Sequence, residues 1–278
     1  MLSYPNTRKV EQTDLYHGVT VADPYRWLED PNTDETATWV KSQNEVTFGY
    51  LNQLPGREQL NTRLTELWNY ERYGTPFKKA NRYFYYKNYG LQNQSVLYTL
   101  PDLDAEPTVL LDPNTLSEDG TVALSGTAIS EDGKYIAYGL STAGSDWVEW
   151  LVRNIATGED TDDLIKWVKF SGASWTHDHQ GFFYSRYDEP NEESKLGDVN
   201  YYQKLYYHRL GTPQSEDTLI YERPDQKEWG FSGGVTEDGQ YLIISVWRGT
   251  DPKNLLFYKD LQDDNAEVIE LISEFEAQ

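Results

Sequence analysis

Serine is the residue type in this sequence that comes nearest to a catalytic nucleophile. Ser171 lies in the string FSGA and Ser232 in the string FSGG, and both resemble part of the Gly-x-Ser-x-Gly elbow of hydrolases. Around Ser232 the pattern is complete, because Gly230 and Gly234 flank it, whereas Ser171 lacks both outer glycines. The sequence has no cysteine to serve as a thiol nucleophile. Both strings precede a repeated strand-turn-strand pattern, whereas an elbow joins a strand to a helix. We therefore predict that a strand begins at each string and that this sequence holds no catalytic residue.

Two histidines, His177 and His179, flank Asp178 and could bind a metal ion. Histidines at alternate positions of a strand share one face, but no third ligand is evident nearby. The stretch also occupies the position of a hairpin turn, so we predict a turn. Asp188–Asp198 is acidic but lacks the spacing of a calcium loop, which indicates a surface loop. The sequence predicts no metal site, no phosphate-binding loop and no cofactor.

The charge of the chain restricts its partners. The sequence has 46 acidic and 24 basic residues, which gives a net charge of −22. Nucleic acid and anionic membranes repel such a surface. No apolar run is long enough to span a bilayer, and the first residues lack the pattern of a secretory signal. We predict a cytoplasmic protein that binds neither nucleic acid nor membrane.

The first 70 residues carry helix signals. A helix is predicted over Thr33–Leu51, with Asn32 or Thr33 as the N-cap and acidic residues in the first turn. A second helix is predicted after Gly56. Its apolar stripe has the spacing i, i+4 and i+7 and consists of Leu60, Leu64 and Leu67.

From about residue 71 onward, the apolar pattern becomes that of β-strands. Thr127–Ser141 reads as two short strands joined at Asp132-Gly133, because Asp-Gly between alternating apolar residues is typical of a hairpin. The pattern recurs at intervals of roughly 50 residues, which is the spacing of β-propeller blades. The other copies begin at Pro76, Ala173 and Gly233.

Each repeat continues in the same order, with a hairpin, a third strand, a turn and a fourth strand. This order is that of one four-stranded propeller blade. Aromatic residues form 14% of the sequence, and their large flat side chains suit the space between packed sheets. The sequence therefore predicts a mainly β fold with about four blades in residues 71–278, preceded by a helical segment in residues 1–70.

Six longer strings are more specific than this periodicity. They are DPYRWLED (Asp23–Asp30), GLQNQSVLY (Gly90–Tyr98), LSEDGTVAL (Leu116–Leu124), SEDGKYIAYGLS (Ser130–Ser141), GSDW (Gly144–Trp147) and QKLYYHRLGTPQSED (Gln203–Asp217). Together, in order and with similar gaps, they resemble the prolyl oligopeptidase family over essentially all 278 residues.

The resemblance implies a cytosolic serine peptidase that cleaves short peptides after proline. In that family an N-terminal segment packs on a C-terminal α/β-hydrolase domain, and a seven-bladed propeller is inserted between them. Residues 1–70 would be that segment and residues 71–278 the first four blades of a partial propeller. The family's catalytic Ser, Asp and His lie in a region that this sequence does not contain. We therefore expect the chain alone to be inactive, with proline-containing peptides and the missing hydrolase domain as its partners.

The resemblance also implies substrate-binding residues. In the family, an aromatic residue of a V-K-F-S string reaches toward the active site, and here that string places Phe170 in the role. Ile220 aligns near another apolar position that lines the same subsite. The alternative for Phe170 is an ordinary core aromatic at the end of a strand.

Two further alternatives stay open at this stage. The chain could be a non-catalytic module, in which four blades close into a complete propeller that binds a peptide or a protein. The parent enzyme could also be a sister oligopeptidase with a different preference at the cleaved bond. If the chain is instead an incomplete member of the family, its leucine stripe lacks the hydrolase surface and should be exposed or repacked. Four blades of a seven-bladed ring should also leave sheet faces open.

Overall fold

The computed structural model describes residues 2–190 and 199–277, so most of the predicted loop Asp188–Asp198 lies outside the described residues. The chain divides into two compact units, Met1–Asn69 and Tyr70–Gln278. No helix among the described residues is both long and apolar enough to cross a membrane.

Within residues 2–69 the first unit contains one hairpin, a 3-10 helix (Arg26–Glu29) and two α-helices. The hairpin pairs β1 (Thr13–Tyr16) with β2 (Val19–Ala22), and the helices are α1 (Asp34–Leu51) and α2 (Arg57–Trp68). Both predicted helices are confirmed. The hydroxyl of Thr33 caps α1 by accepting a hydrogen bond from the amide of Thr36 at 3.2 Å. The hairpin was not predicted, because its strands are short and expose most of their side chains.

The leucine stripe of α2 is exposed, which is one of the two outcomes expected where the hydrolase domain is missing. Leu60, Leu64 and Leu67 expose 66%, 54% and 52% of their surface. Three large apolar side chains on one helix face form a surface that usually contacts another domain or protein.

The second unit consists of four antiparallel sheets, which confirms the predicted blades. Sheet one contains β3 (Arg72–Tyr73), β4 (Phe77–Lys79), β5 (Arg82–Asn88), β6 (Val96–Leu100) and β7 (Thr108–Leu111). Sheet two contains β8 (Val122–Ile129), β9 (Tyr135–Thr142), β10 (Val148–Asn154) and β11 (Asp160–Val168). Sheet three contains β12 (Ser174–Trp175), β13 (Gly181–Arg186), β14 (Lys204–Arg209) and β15 (Thr218–Tyr221). Sheet four contains β16 (Trp229–Val235), β17 (Tyr241–Arg248), β18 (Leu255–Asp260) and β19 (Ile269–Ile272).

The turn between the first two strands of sheet two shows why the repeats fold. Ser130 donates its hydroxyl to Asp132 at 2.7 Å and accepts the amide of Tyr135 at 3.0 Å. Gly133 has φ +70°, which a residue without a Cβ adopts at little cost. Sheets three and four repeat the hydroxyl-to-aspartate bond with Thr176 to Asp178 and Thr236 to Asp238.

Three apolar clusters hold the four sheets together in sequence order. The first joins sheets one and two, the second joins sheets two and three, and the third joins sheets three and four. Within residues 2–190 and 199–277, no such cluster joins sheet four back to sheet one. The side chains of Ile269, Leu271 and Ile272 on β19 are exposed. The four sheets therefore do not form the closed ring that a self-contained four-bladed module requires.

Candidate functional site

The inner strands of all four sheets line one open cavity of about 550 Å³. Sheet one contributes β4, and the other three sheets contribute β8, β12 and β16 with the turns that follow them. Charged and polar groups that line the cavity include Lys79, Glu131, Ser174, His177, Thr236 and Glu237. In a propeller the inner strands surround the central channel, so this cavity is the channel face of the unit.

One ion pair and one histidine–carboxylate contact connect neighbouring sheets at one end of this channel face. Lys79 of sheet one pairs with Glu131 of sheet two. His179 Nδ1 of sheet three lies 4.0 Å from Asp132 Oδ1 of sheet two. Burial alone would raise the pKa of Asp132, but hydrogen bonds from Ser130 and Lys134 lower it to about 2. These contacts link one sheet to the next, and the turn predicted at His177-Asp178-His179 is confirmed.

Phe170 lies at the other end of sheet three. It belongs to the linker that joins β11 to β12, and β12 runs from this linker toward the turn. Its side chain is 56% exposed and its backbone has φ +55°, a left-handed conformation that non-glycine residues rarely adopt. Among the described residues Phe170 is therefore exposed and belongs to no apolar core.

Three hydrogen bonds fix the backbone on both sides of Phe170. They run from the Tyr187 amide to the Trp167 carbonyl (3.0 Å), from Gln203 Nε2 to the Lys169 carbonyl (2.9 Å) and from the Ser185 amide to Ser171 Oγ (2.7 Å). Left-handed backbone at a non-glycine residue costs about 1 to 3 kcal/mol and persists only where the surroundings hold it. A large apolar side chain is thus held in solvent by a fixed and strained backbone.

Aromatic rings pack around the buried side chain of Lys169. Its ammonium group lies 4.0 Å from the ring centroid of Trp147 and donates to Asn200 Oδ1 at 3.0 Å. Trp147 in turn makes edge contacts with Trp167 and Tyr187, with centroids 6.0 and 6.2 Å apart. Burial lowers the pKa of Lys169. This cluster gives the linker a rigid base.

The structure does not bring Ile220 together with Phe170. Ile220 lies in β15, the fourth strand of sheet three, and packs against the apolar cluster between sheets three and four. It lines a cavity of about 320 Å³ whose other walls include Thr176, Asp178 and Gly239, and Phe170 is not part of that lining. The common subsite of the two residues stays a prediction.

An ionic cluster between sheets two and three was not predicted from the sequence. His208 of β14 is fully buried. Its Nδ1 lies 2.7 Å from Asp217 Oδ1, and its Nε2 lies 3.0 Å from Asp163 Oδ1. Burial alone would lower the pKa of His208, but the two carboxylates raise it to about 9, so the ring is charged at neutral pH.

This cluster is not built for acid-base catalysis. Both ring nitrogens of His208 are occupied by carboxylates, and a general base needs one nitrogen free for a substrate proton or a nucleophile. Asp217 also accepts the hydroxyl of Tyr184 at 2.5 Å, and Asp163 accepts the amide of Gly211 at 2.6 Å. The arrangement instead links two sheets through buried charges.

Comparison with known proteins agrees with this architecture. The family model described as the N-terminal beta-propeller domain of prolyl oligopeptidase matches residues 5–278. The prolyl endopeptidase of Elizabethkingia miricola is 42% identical over 276 residues, which are 99% of this chain and 39% of that protein. Prolyl oligopeptidase A of Galerina marginata is 39% identical over 288 residues, which cover 92% of this chain and 39% of that protein. The chain thus spans about two fifths of the length of these relatives.

Solved structures show the same arrangement. Prolyl oligopeptidase B from Galerina marginata, bound to a 35mer hydrolysis and macrocyclization substrate, matches with a TM-score of 0.87 and 31% identity. That match covers 98% of this chain and 41% of the solved chain. The same enzyme bound to a 25mer macrocyclization substrate matches with a TM-score of 0.88 and 30% identity, over 99% of this chain and 42% of the solved chain. The chain therefore belongs to the prolyl oligopeptidase family and is the part that contains its N-terminal β-propeller.

Proposed function

We propose that this chain is the substrate-admitting portion of a serine endopeptidase that cleaves short peptides on the carboxyl side of proline. The observation that carries the proposal is the match, over 98% of the chain, to a prolyl oligopeptidase solved with a peptide substrate. The relatives that match the chain are prolyl endopeptidases and oligopeptidases. The cytoplasmic location implied by the resemblance stays a prediction.

In this proposal the channel face selects substrates by size. A cavity of about 550 Å³ is comparable to ligand pockets, which hold small molecules or a few residues of an extended peptide. A folded protein is far larger than such a space. Short, unfolded peptides would therefore pass along the inner strands, whereas folded proteins would not.

Phe170 is the residue that we assign to substrate contact. Its exposed ring costs free energy in water, and covering it with a peptide side chain recovers part of that cost. The fixed backbone means that the ring loses little freedom on binding, which favours affinity. We assign Phe170 a binding role and no part in the chemistry.

The chemistry is assigned to groups outside these 278 residues. Acyl transfer requires a nucleophile, its base and an oxyanion hole in one place, and the described residues bring no such set together. The exposed stripe of Leu60, Leu64 and Leu67 is the surface that we expect to pack on the α/β-hydrolase domain. Residues 1–69 would then be the family's N-terminal segment.

Replacing Phe170 by alanine in the product of the complete reading frame tests the proposal. We expect KM for a long proline-containing peptide to rise at least about tenfold, because a buried aromatic contact is worth about 1.5 to 3 kcal/mol and each 1.4 kcal/mol is about a factor of ten. A short chromogenic substrate that ends near its proline should be hydrolysed as before. The measurement is steady-state kinetics on both substrates.

Leu103→Ala is the matched control, since it removes an equally exposed apolar side chain from a turn of sheet one. Equal losses on both substrates in F170A would contradict the contact assigned to Phe170. Absence of hydrolysis by the unmodified protein would reject the proposed function itself.

A further inference from the structure

Gln203 exposes only 1% of its surface, and both polar atoms of its side chain form hydrogen bonds. Its Nε2 donates to the carbonyl of Lys169 at 2.9 Å, and its Oε1 accepts the amide of Phe231 at 2.7 Å. Only one orientation of the amide group satisfies a carbonyl and an amide at once. The side chain therefore ties the residue before Phe170 to the first strand of sheet four.

Gln94 makes a similar link between sheets one and two. Gln94 lies just before β6, and Gln203 lies just before β14. In the order of hydrogen-bonded strands, β6 is the third strand of sheet one and β14 is the third strand of sheet three. Its Nε2 donates to the carbonyl of Val122 at 2.6 Å, and its Oε1 accepts the amide of Leu124 at 2.9 Å. Both bonds of Gln94 thus end on β8, the first strand of the next sheet.

The second bond of Gln203 goes elsewhere. One bond reaches the first strand of the next sheet, as in Gln94, but the other holds the linker that carries Phe170. Phe170 of that linker has a positive φ of +55°, and Trp167 near the end of β11 has one of +63°. Strained backbone relaxes when a bond that holds it is removed, and a change of φ at Phe170 turns the direction of its ring.

We propose that Gln203 is a positioning residue, which holds Phe170 in the orientation that contacts the peptide. This inference rests on the proposed function, since it assumes that Phe170 meets the substrate. Gln203 itself touches neither the substrate nor the reacting atoms. It acts through the Lys169 carbonyl, one residue before Phe170.

The test is a double-mutant cycle in the product of the complete reading frame. Gln203→Met keeps the length of the side chain and removes both hydrogen bonds. We expect it to raise KM for the long peptide about as much as Phe170→Ala, at least about tenfold, with no further rise when both changes are combined. The control is Gln94→Met, which removes the two side-chain hydrogen bonds of Gln94 to β8 and should leave KM unchanged.

A rise of KM in the double variant equal to the product of the two single fold-changes, at least about a hundredfold, would overturn the inference, because Gln203 would then act independently of Phe170. An effect of Gln94→Met equal to that of Gln203→Met would overturn it as well. If Gln203→Met fails to fold, Gln203→Asn repeats the comparison, because its shorter amide cannot reach both partners.

Hydrogen exchange separates this inference from the proposed function. The amides of Ser185 and Tyr187 donate to the linker on either side of Phe170. In Gln203→Met they should exchange about tenfold faster, the effect of losing one net hydrogen bond, and in Gln94→Met they should not change. Unchanged exchange in Gln203→Met would overturn the positioning role even where peptide hydrolysis is observed.

Discussion

Replacing His208 by leucine is expected to destabilise the second unit by about 3 to 5 kcal/mol, the cost of breaking a buried ion pair by removing one partner. The side chains of Asp163 and Asp217 are almost fully buried, at 2% and 1% exposure, and would lose the charge between them. The measurement is the free energy of unfolding in urea at neutral pH.

The pH dependence of the unfolding free energy tests whether the charge on His208 causes this stabilisation. The pKa of the ring is raised to about 9 in the folded chain, against about 6.5 for an ordinary histidine. The charged ring stabilises the folded state fully below a pH of about 6.5, and this stabilisation is lost as the pH rises toward about 9. The unmodified protein should lose stability over this interval and H208L should lose less. An identical pH dependence in both proteins would contradict the charged state.

Replacing Gly181 by alanine is expected to cost about 3 kcal/mol or more, at the upper end for overpacked sites. A Cβ at this position would lie 2.0 Å from the carbonyl oxygen of His208 and 2.7 Å from the ring of Tyr207. The oxygen belongs to the neighbouring strand, where Gly181 pairs with Arg209, so it moves only if the pairing of β13 and β14 is disturbed.

Gly234→Ala is the control for this substitution. Gly234 also lies in a strand, but a Cβ there meets no atom within 4 Å. The unfolding free energy of the Gly234→Ala variant should differ from that of the unmodified protein by less than about 0.5 kcal/mol, as for most unobstructed surface positions. Similar losses in both variants would show that the close approach at Gly181 is not the cause.

Much of the fold could be predicted because its signals are local. Thr33 and Gly56 mark the starts of the two helices, and Asp132-Gly133 marks a turn whose hydrogen bonds run between nearby residues. The alternation of apolar residues then assigns strands on either side. Repetition of the same turn in three sheets made the blade order readable.

The contacts that fix the candidate site could not be predicted in this way. Asp217 lies 9 residues after His208 and next to β15 of the same sheet. Asp163, however, lies 45 residues before His208 in sheet two, so that only the packing of sheets two and three brings Asp163 to the ring. The bonds of Gln203 span 34 and 28 residues. The resemblance pointed to Phe170, but the left-handed backbone that exposes it depends on these distant bonds.

Hydrolysis of a chromogenic peptide with proline at the cleaved bond tests most directly whether this chain is the non-catalytic portion of a prolyl peptidase. Purified residues 1–278 and the product of the complete reading frame would be assayed side by side. We predict that only the longer protein cleaves the peptide, since the groups for acyl transfer lie outside these residues. Cleavage by residues 1–278 alone would reveal a nucleophile within the propeller portion and contradict the account. Inactivity of both proteins would also contradict it and favour a binding module.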